Sequence, residues 1–147
     1  MRQHDESIRM LAARSSGREA FWVDFIRHIG ARAVAEIGVF RGVFVGQILD
    51  GCPDLQQYYL IDPWRHLEDW NKPANKSDDA FQQFMDEAMT RTETHADKRV
   101  VLRGTTTEVI GKIDDGSLDL VYIDGDHTLR GIAIDLWKAL PKVRDGG

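Results

Sequence analysis

The sequence predicts an α/β domain, a parallel β-sheet with helices on both faces. Two observations carry that prediction. After a leading helix, short apolar strands alternate four times with amphipathic helices, which implies right-handed crossovers onto one parallel sheet. Each predicted strand also ends in a chemically marked tip: Glu36/Gly38, Asp62, Gly104/Thr105 and Asp124. Ligands of such sheets bind beyond the carboxyl ends of the strands, so function is sought at those tips.

Residues 1–17 are polar, end in Ser15-Ser16-Gly17 and read as a lead-in segment, helical in part. The domain proper occupies residues 18–147. From Arg18, the residues Phe21, Trp22, Phe25, Ile26 and Ile29 recur at helical spacing, with Gly30 placed as a C-cap. Arg32 to Gly38 is a short apolar strand, and Gly42 to Asp50 a helix closed by Gly51-Cys52-Pro53. Tyr58 to Ile61 is the second strand, stopped at Asp62-Pro63 because proline cannot donate to a ladder. Residues 63–79 are irregular, and Ser77-Asp78-Asp79 has the hydroxyl and acids of a helix start. The helix that follows carries Phe81, Phe84, Met85, Ala88 and Met89 on one face. Arg99 to Arg103 is the third strand and Thr107 to Ile113 a short helix, followed by the turn Asp114-Asp115-Gly116-Ser117. Leu118 to Asp124 is the fourth strand, and its near-continuous apolar run predicts that both faces are covered. The last helix places Leu129, Ile132, Ala133, Leu136, Trp137 and Leu140 on one stripe expected to face the core, and Trp22 is likewise expected in the core.

Composition narrows the class. The chain has 147 residues, suited to one domain, and 42% are hydrophobic, enough for a core. Its formal net charge of −5 argues against nucleic acid as the main partner. No apolar run approaches the roughly 18 residues of a membrane span, and the polar N-terminus does not resemble a signal peptide. A single cysteine, Cys52, excludes an internal disulfide and fits a reducing compartment. A cytoplasmic protein with neither a nucleic-acid nor a membrane partner is the expectation.

The tips suggest chemistry. In Glu36-Ile37-Gly38-Val39-Phe40-Arg41-Gly42, Gly38 allows a sharp turn and close approach to a ligand, and Gly42 keeps that approach open. The run is not the G-x-G-x-x-G of dinucleotide enzymes, because Phe40 holds the middle position. Asp62 follows Gly38 by 24 residues. A carboxylate there offers two acceptor oxygens to the two hydroxyls of a ribose. Thr105 or Thr106 caps the next helix, borders an adenine, or does both. Asp124, Asp126 and His127 form a candidate hard-metal or acid–base cluster. Asp126 is equally an N-cap for the last helix, and His127 a base, a metal ligand or a surface histidine. The loop with Trp64, Arg65, His66 and Trp70 is either a lid or substrate wall, or a solvated loop with packed tryptophans.

Glu36–Gly42, Tyr59–Trp64 (Y-L-I-D-P-W) and Asp119–His127 (D-L-V-Y-I-D-G-D-H) together resemble the class I S-adenosylmethionine-dependent methyltransferases. The likeness is to the small-molecule O-methyltransferase branch that includes caffeoyl-CoA and macrolide-sugar enzymes, and it spans about residues 18–147. It implies a Rossmann-like sheet, the first four strands, in the order 3-2-1-4, of a seven-stranded fold. It implies that Glu36 and Gly38 border the methionine part of S-adenosylmethionine, within a turn that also includes Phe40 and Gly42, that Asp62 holds its ribose, and that Thr105 and Thr106 lie near adenine. Asp124 matches a position that contacts the cofactor, binds a divalent metal such as Mg²⁺, or orients the acceptor hydroxyl; it and His127 are the catalytic candidates. The remaining strands of that fold are not in this sequence, so either it is a fragment of a longer protein or another chain, as in a homodimer, covers the fourth strand. The expected activity is O-methylation of a small-molecule acceptor. The rival expectations are an NAD(P)-dependent oxidoreductase and a non-catalytic binding or dimerisation module.

Overall fold

The computed structural model describes residues 2–147, with side chains from Glu6 onward; Met1 of the lead-in segment lies outside the described residues. The lead-in is helical, α1 (Arg2–Arg14), and it buries Leu11. Next come α2 (Arg18–Ile29), β1 (Ala33–Ile37), α3 (Val43–Gly51), β2 (Gln57–Asp62) and α4 (Asp78–Arg91). The chain continues with β3 (Arg99–Arg103), α5 (Thr106–Val109), β4 (Leu120–Ile123) and α6 (Leu129–Ala139). Gly30 ends α2 in the left-handed conformation expected of a C-cap, at φ 65°. Ser77 caps α4 through a 3.4 Å bond from the Ala80 amide.

All pairings are parallel, in the order β3-β2-β1-β4. The register aligns Ile37 with Ile61 and Ile123, and Ile61 with Leu102. The ladder then runs one residue past the strands. Gly38 N–H donates to Ile61 O (2.9 Å), Gly104 N–H to Asp62 O (2.9 Å) and Asp124 N–H to Ile37 O (2.8 Å). The marked tips therefore stand in one row because of register, not chance.

Alternation along the strands separates two cores. Val34, Tyr58, Leu60 and Leu120 pack beneath Ile26, Val45, Ile48, Phe84 and Ala88 of α2, α3 and α4. Ala35, Ile37, Ile61 and Leu102 pack on the other face with Val109, Ile110 and Ala139. Among the described residues, no helix is long and apolar enough to cross a membrane.

Four expectations fail on packing. The α6 stripe faces solvent: Leu129 is 87% exposed, Trp137 79%, Leu140 74% and Leu136 55%, while Asp135 and Ala139 are the buried positions. Ile132 and Ala133 are exposed as well, and so is Ile29 on α2. Helical spacing identifies a face that favours cover; it does not supply the layer to cover it, and among the described residues no full strand lies outside β4. For the same reason Val121, Tyr122 and Ile123 are only half-buried, so β4 is not covered on both faces. The one pairing on its outer side is a single parallel bridge from Leu118 to Val143. The third failure is length: β4 runs four residues, and the short helix splits into α5 and a 3₁₀ turn, Ile110–Lys112. Finally, Asp126 is not the cap of α6. Thr128 is, accepting from the Gly131 amide at 3.0 Å, while Asp126 accepts from Thr128 N (3.0 Å) and Oγ1 (2.8 Å) one step upstream.

Candidate active site

The turn after β1 is built from left-handed residues: Gly38 at φ 91°, Phe40 at 54° and Gly42 at 73°. Phe40 is not a glycine, so its conformation needs external support. Asp62 provides it. One carboxylate oxygen accepts from Phe40 N and the other from Trp64 N, both at 2.8 Å. Trp64, itself left-handed at φ 40° and fully buried, donates Nε1–H to Phe40 O at 2.7 Å. Burial pushes the Asp62 carboxyl up, and the amides of Phe40, Trp64 and Val39 pull against that shift. Backbone amides converging in such a turn form an anion cradle. Here the anion is internal, the side chain of Asp62.

The two glycines meet protein rather than open space. A Cβ on Gly38 would fall on the Asp124 carbonyl, 2.6 Å from its carbon and 2.6 Å from Gly125 N. The absence of a side chain is what lets the β1 and β4 tips touch. A Cβ on Gly42 would meet Ala88 Cα at 2.7 Å, so Gly42 seats α3 against α4. The Phe40 ring is 46% exposed, 4.7 Å from Phe84, with Arg41 lying over both rings.

Glu36 shares its sheet face with Tyr58 and Tyr122. It is 2% exposed, and Tyr58 Oη–H donates to its Oε2 at 2.9 Å. Burial raises its carboxyl to about 8; the Tyr58 bond opposes this, and the nearby Asp124 and Asp62 charges add to it. Above it lies Asp124, 3.5 Å from Arg18 Nη1 and 3.5 Å from His127 Nε2. Arg18 was not foreseen. Its partner is 106 positions away, and the available signal was a cation in the first turn of a helix, where the dipole favours acids. Trp22, Phe44 and Tyr122 form an aromatic floor: Phe44 stacks on Tyr122 at 4.2 Å and Trp22 meets Tyr122 edge-on at 5.2 Å.

Thr105 is the cap of α5, in a reciprocal capping box with Glu108. Arg65 anchors the 63–77 loop to Glu108 at 2.7 Å. Thr106 is buried and hydrogen-bonds Asp135, whose carboxyl is raised by burial against that bond. Burial opposes ionisation of Asp126, but bonds from Thr128, with Trp70 and Lys72 nearby, hold its carboxyl below the usual range. A divalent metal does not fit here: among the described residues no three His, Cys, Asp or Glu side chains converge, and Asp124 faces the Arg18 guanidinium. His127 is 74% exposed. An open cleft of about 680 Å³, lined by Gly116, Leu140, Pro141 and Arg144, lies beyond the opposite end of β4, away from the row of tips.

Residues 35–147 match the methyltransferase domain family, and the chain belongs to it. The same fold occurs in three solved structures. An O-methyltransferase from Bacillus cereus in complex with SAH gives a TM-score of 0.65 at 18% identity, covering 95% of this chain and 60% of that one. The SAH-bound Podospora anserina methyltransferase PaMTH1 gives 0.63 at 13%, covering 97% and 58%. TomG from Streptomyces achromogenes, an O-methyltransferase involved in tomaymycin synthesis and solved with SAM, gives 0.59 at 20%, covering 83% and 48%. The chain thus spans about half to three fifths of the length of these structures. No curated protein matches it in sequence.

Proposed function

We propose that this chain binds S-adenosylmethionine and belongs to an enzyme that methylates a hydroxyl of a small molecule. The observation that carries the reading is the charge of the tip row. The carboxylates of Asp62 and Asp124 flank the Gly38 turn, with the protonated Glu36 buried beside them and Arg18 as the neighbouring cation. Such a site suits a cationic sulfonium nucleoside. It disfavours a dinucleotide, since the turn amides that would cradle a pyrophosphate are bonded to Asp62. Family membership and the SAM- or SAH-bound relatives of the same fold support the reading.

When bound, S-adenosylmethionine supplies an electrophilic methyl carbon; attack by the acceptor oxygen breaks the carbon–sulfur bond and leaves a neutral thioether. The chain's own residues set the surroundings. Asp62 holds the turn and has acceptor capacity beyond its amide bonds for the ribose hydroxyls. Thr105 and Thr106 stand beside the adenine. The proton lost by the acceptor passes to His127 or Asp124, which face each other at 3.5 Å. No step is assigned to Mg²⁺.

Thermal shift separates this from the oxidoreductase reading. S-adenosylhomocysteine is expected to raise the melting temperature and NADH to leave it unchanged; the reverse overturns the proposal. One observation favours a second reading, an association module that pairs as a homodimer: the exposed α6 stripe beside the outer edge of β4. Sedimentation showing a monomer at micromolar concentration removes it.

A further inference from the structure

We propose that the segment between Trp64 and Ser77 is a lid over the nucleoside, latched to Glu108 by Arg65 and to Asp126 by Trp70 and Lys72. This rests on the S-adenosylmethionine reading above and concerns how the ligand enters and leaves.

The segment is built to move as one body. Its ends meet, since His66 N–H donates to Asp78 Oδ1 at 2.7 Å. Asn75 ties its middle: Oδ1 accepts from Leu67 N at 3.1 Å, and Nδ2 donates to the carbonyls of Leu67 (2.7 Å) and Trp70 (2.8 Å). That is the self-packed form of an Ω-loop. Trp64 and Phe81 on its flanks belong to the core, and none of residues 65–76 does. A segment with few buried apolar contacts opens locally while the domain stays folded.

Two attachments hold it down. Arg65 Nη2 donates to both Glu108 oxygens, at 2.7 and 2.9 Å, with the side chains 41% and 49% exposed. On the other side Trp70 and Lys72 stand beside Asp126 and favour its carboxylate. The Trp70 Nε1–H is nonetheless buried without a hydrogen-bond partner. An unpaired buried donor is unfavourable, and a small further closure onto Asp126 satisfies it. Glu108 follows β3 and Asp126 follows β4, the two outer strands, while the segment itself rises from β2. It therefore spans the row of tips. A nucleoside in that row is covered when the segment is down and exposed when it lifts, so binding shifts the balance toward the closed form.

Hydrogen exchange and stopped-flow release of S-adenosylhomocysteine test this on wild type, Trp70→Phe and Arg65→Gln. In wild type, the amides of residues 66–76 are expected to exchange more slowly once the ligand is bound. Trp70→Phe keeps an aromatic ring and loses the N–H. It is expected to release the ligand about tenfold faster, without lowering the melting temperature of the free chain, where that N–H is unpaired. Arg65→Gln is expected to speed release as well. Exchange in residues 66–76 that is unchanged by the ligand overturns the lid while the cofactor reading stands. Release at the wild-type rate from either folded variant overturns the latch it removes. If wild type does not bind S-adenosylhomocysteine, the cofactor reading falls and the lid with it.

Discussion

Glu36→Gln is expected to stabilise the chain at neutral pH, where the folded chain already holds this carboxyl protonated. The carboxyl is held at about 8 in the folded chain against an ordinary value of 4.5. Between those values the folded chain keeps a proton that the unfolded chain has lost. Stability therefore falls as pH rises through the window, by about 1.4 kcal/mol per unit. The full effect is about 5 kcal/mol above pH 8, and the part lost between pH 5 and 7 is about 3 kcal/mol. Glutamine keeps an oxygen to accept the Tyr58 hydroxyl and an N–H donor in place of the acid O–H, but it does not titrate. Urea unfolding of both proteins at pH 5, 6, 7 and 8 isolates the effect, since every other group titrates alike in the two. The difference in unfolding free energy should widen steadily in favour of the variant as pH rises. A difference that does not change with pH refutes the buried, neutral Glu36.

Three further outcomes follow from contacts. Gly38→Ala places a methyl on the Asp124 carbonyl at a left-handed position, and a loss of about 3 kcal/mol or more is expected; thermal melting of the variant checks it. Asp62→Asn keeps one acceptor oxygen, so either Phe40 N or Trp64 N loses its partner, at a cost of about 1–3 kcal/mol by chemical unfolding. Trp137→Ala should change stability by about 0.5 kcal/mol or less in the same assay, because the ring is 79% exposed; a loss of about 3–5 kcal/mol would mean that Trp137 is core after all.

Much of the fold was legible because two sequence signals agree. The alternation of strands and helices dictated a parallel sheet, and the row of marked residues at 38, 62, 104 and 124 coincides with the row that register produces. The site was legible in its members and less so in their roles. Asp62 appeared as a ligand contact, but its first partners are the Phe40 and Trp64 amides, and no spacing rule reveals that a turn supplies its own anion. Gly38 and Gly42 allow a close approach, and in the folded chain Asp124 and Ala88 approach them on the side where a Cβ would stand. Arg18 escaped notice because its partner is joined to it only by the tertiary fold. The α6 stripe shows the limit of periodicity: Leu129, Leu136 and Leu140 share a face, but a pattern within one helix cannot say what that face meets.

The central claim is that the strand tips hold an adenosyl sulfonium nucleoside. A crystal structure of the chain grown with S-adenosylhomocysteine tests it most directly. The account predicts the ribose hydroxyls within hydrogen-bond distance of Asp62. A ligand seated elsewhere, or Asp62 bonded only to its two amides beside a bound nucleoside, contradicts it.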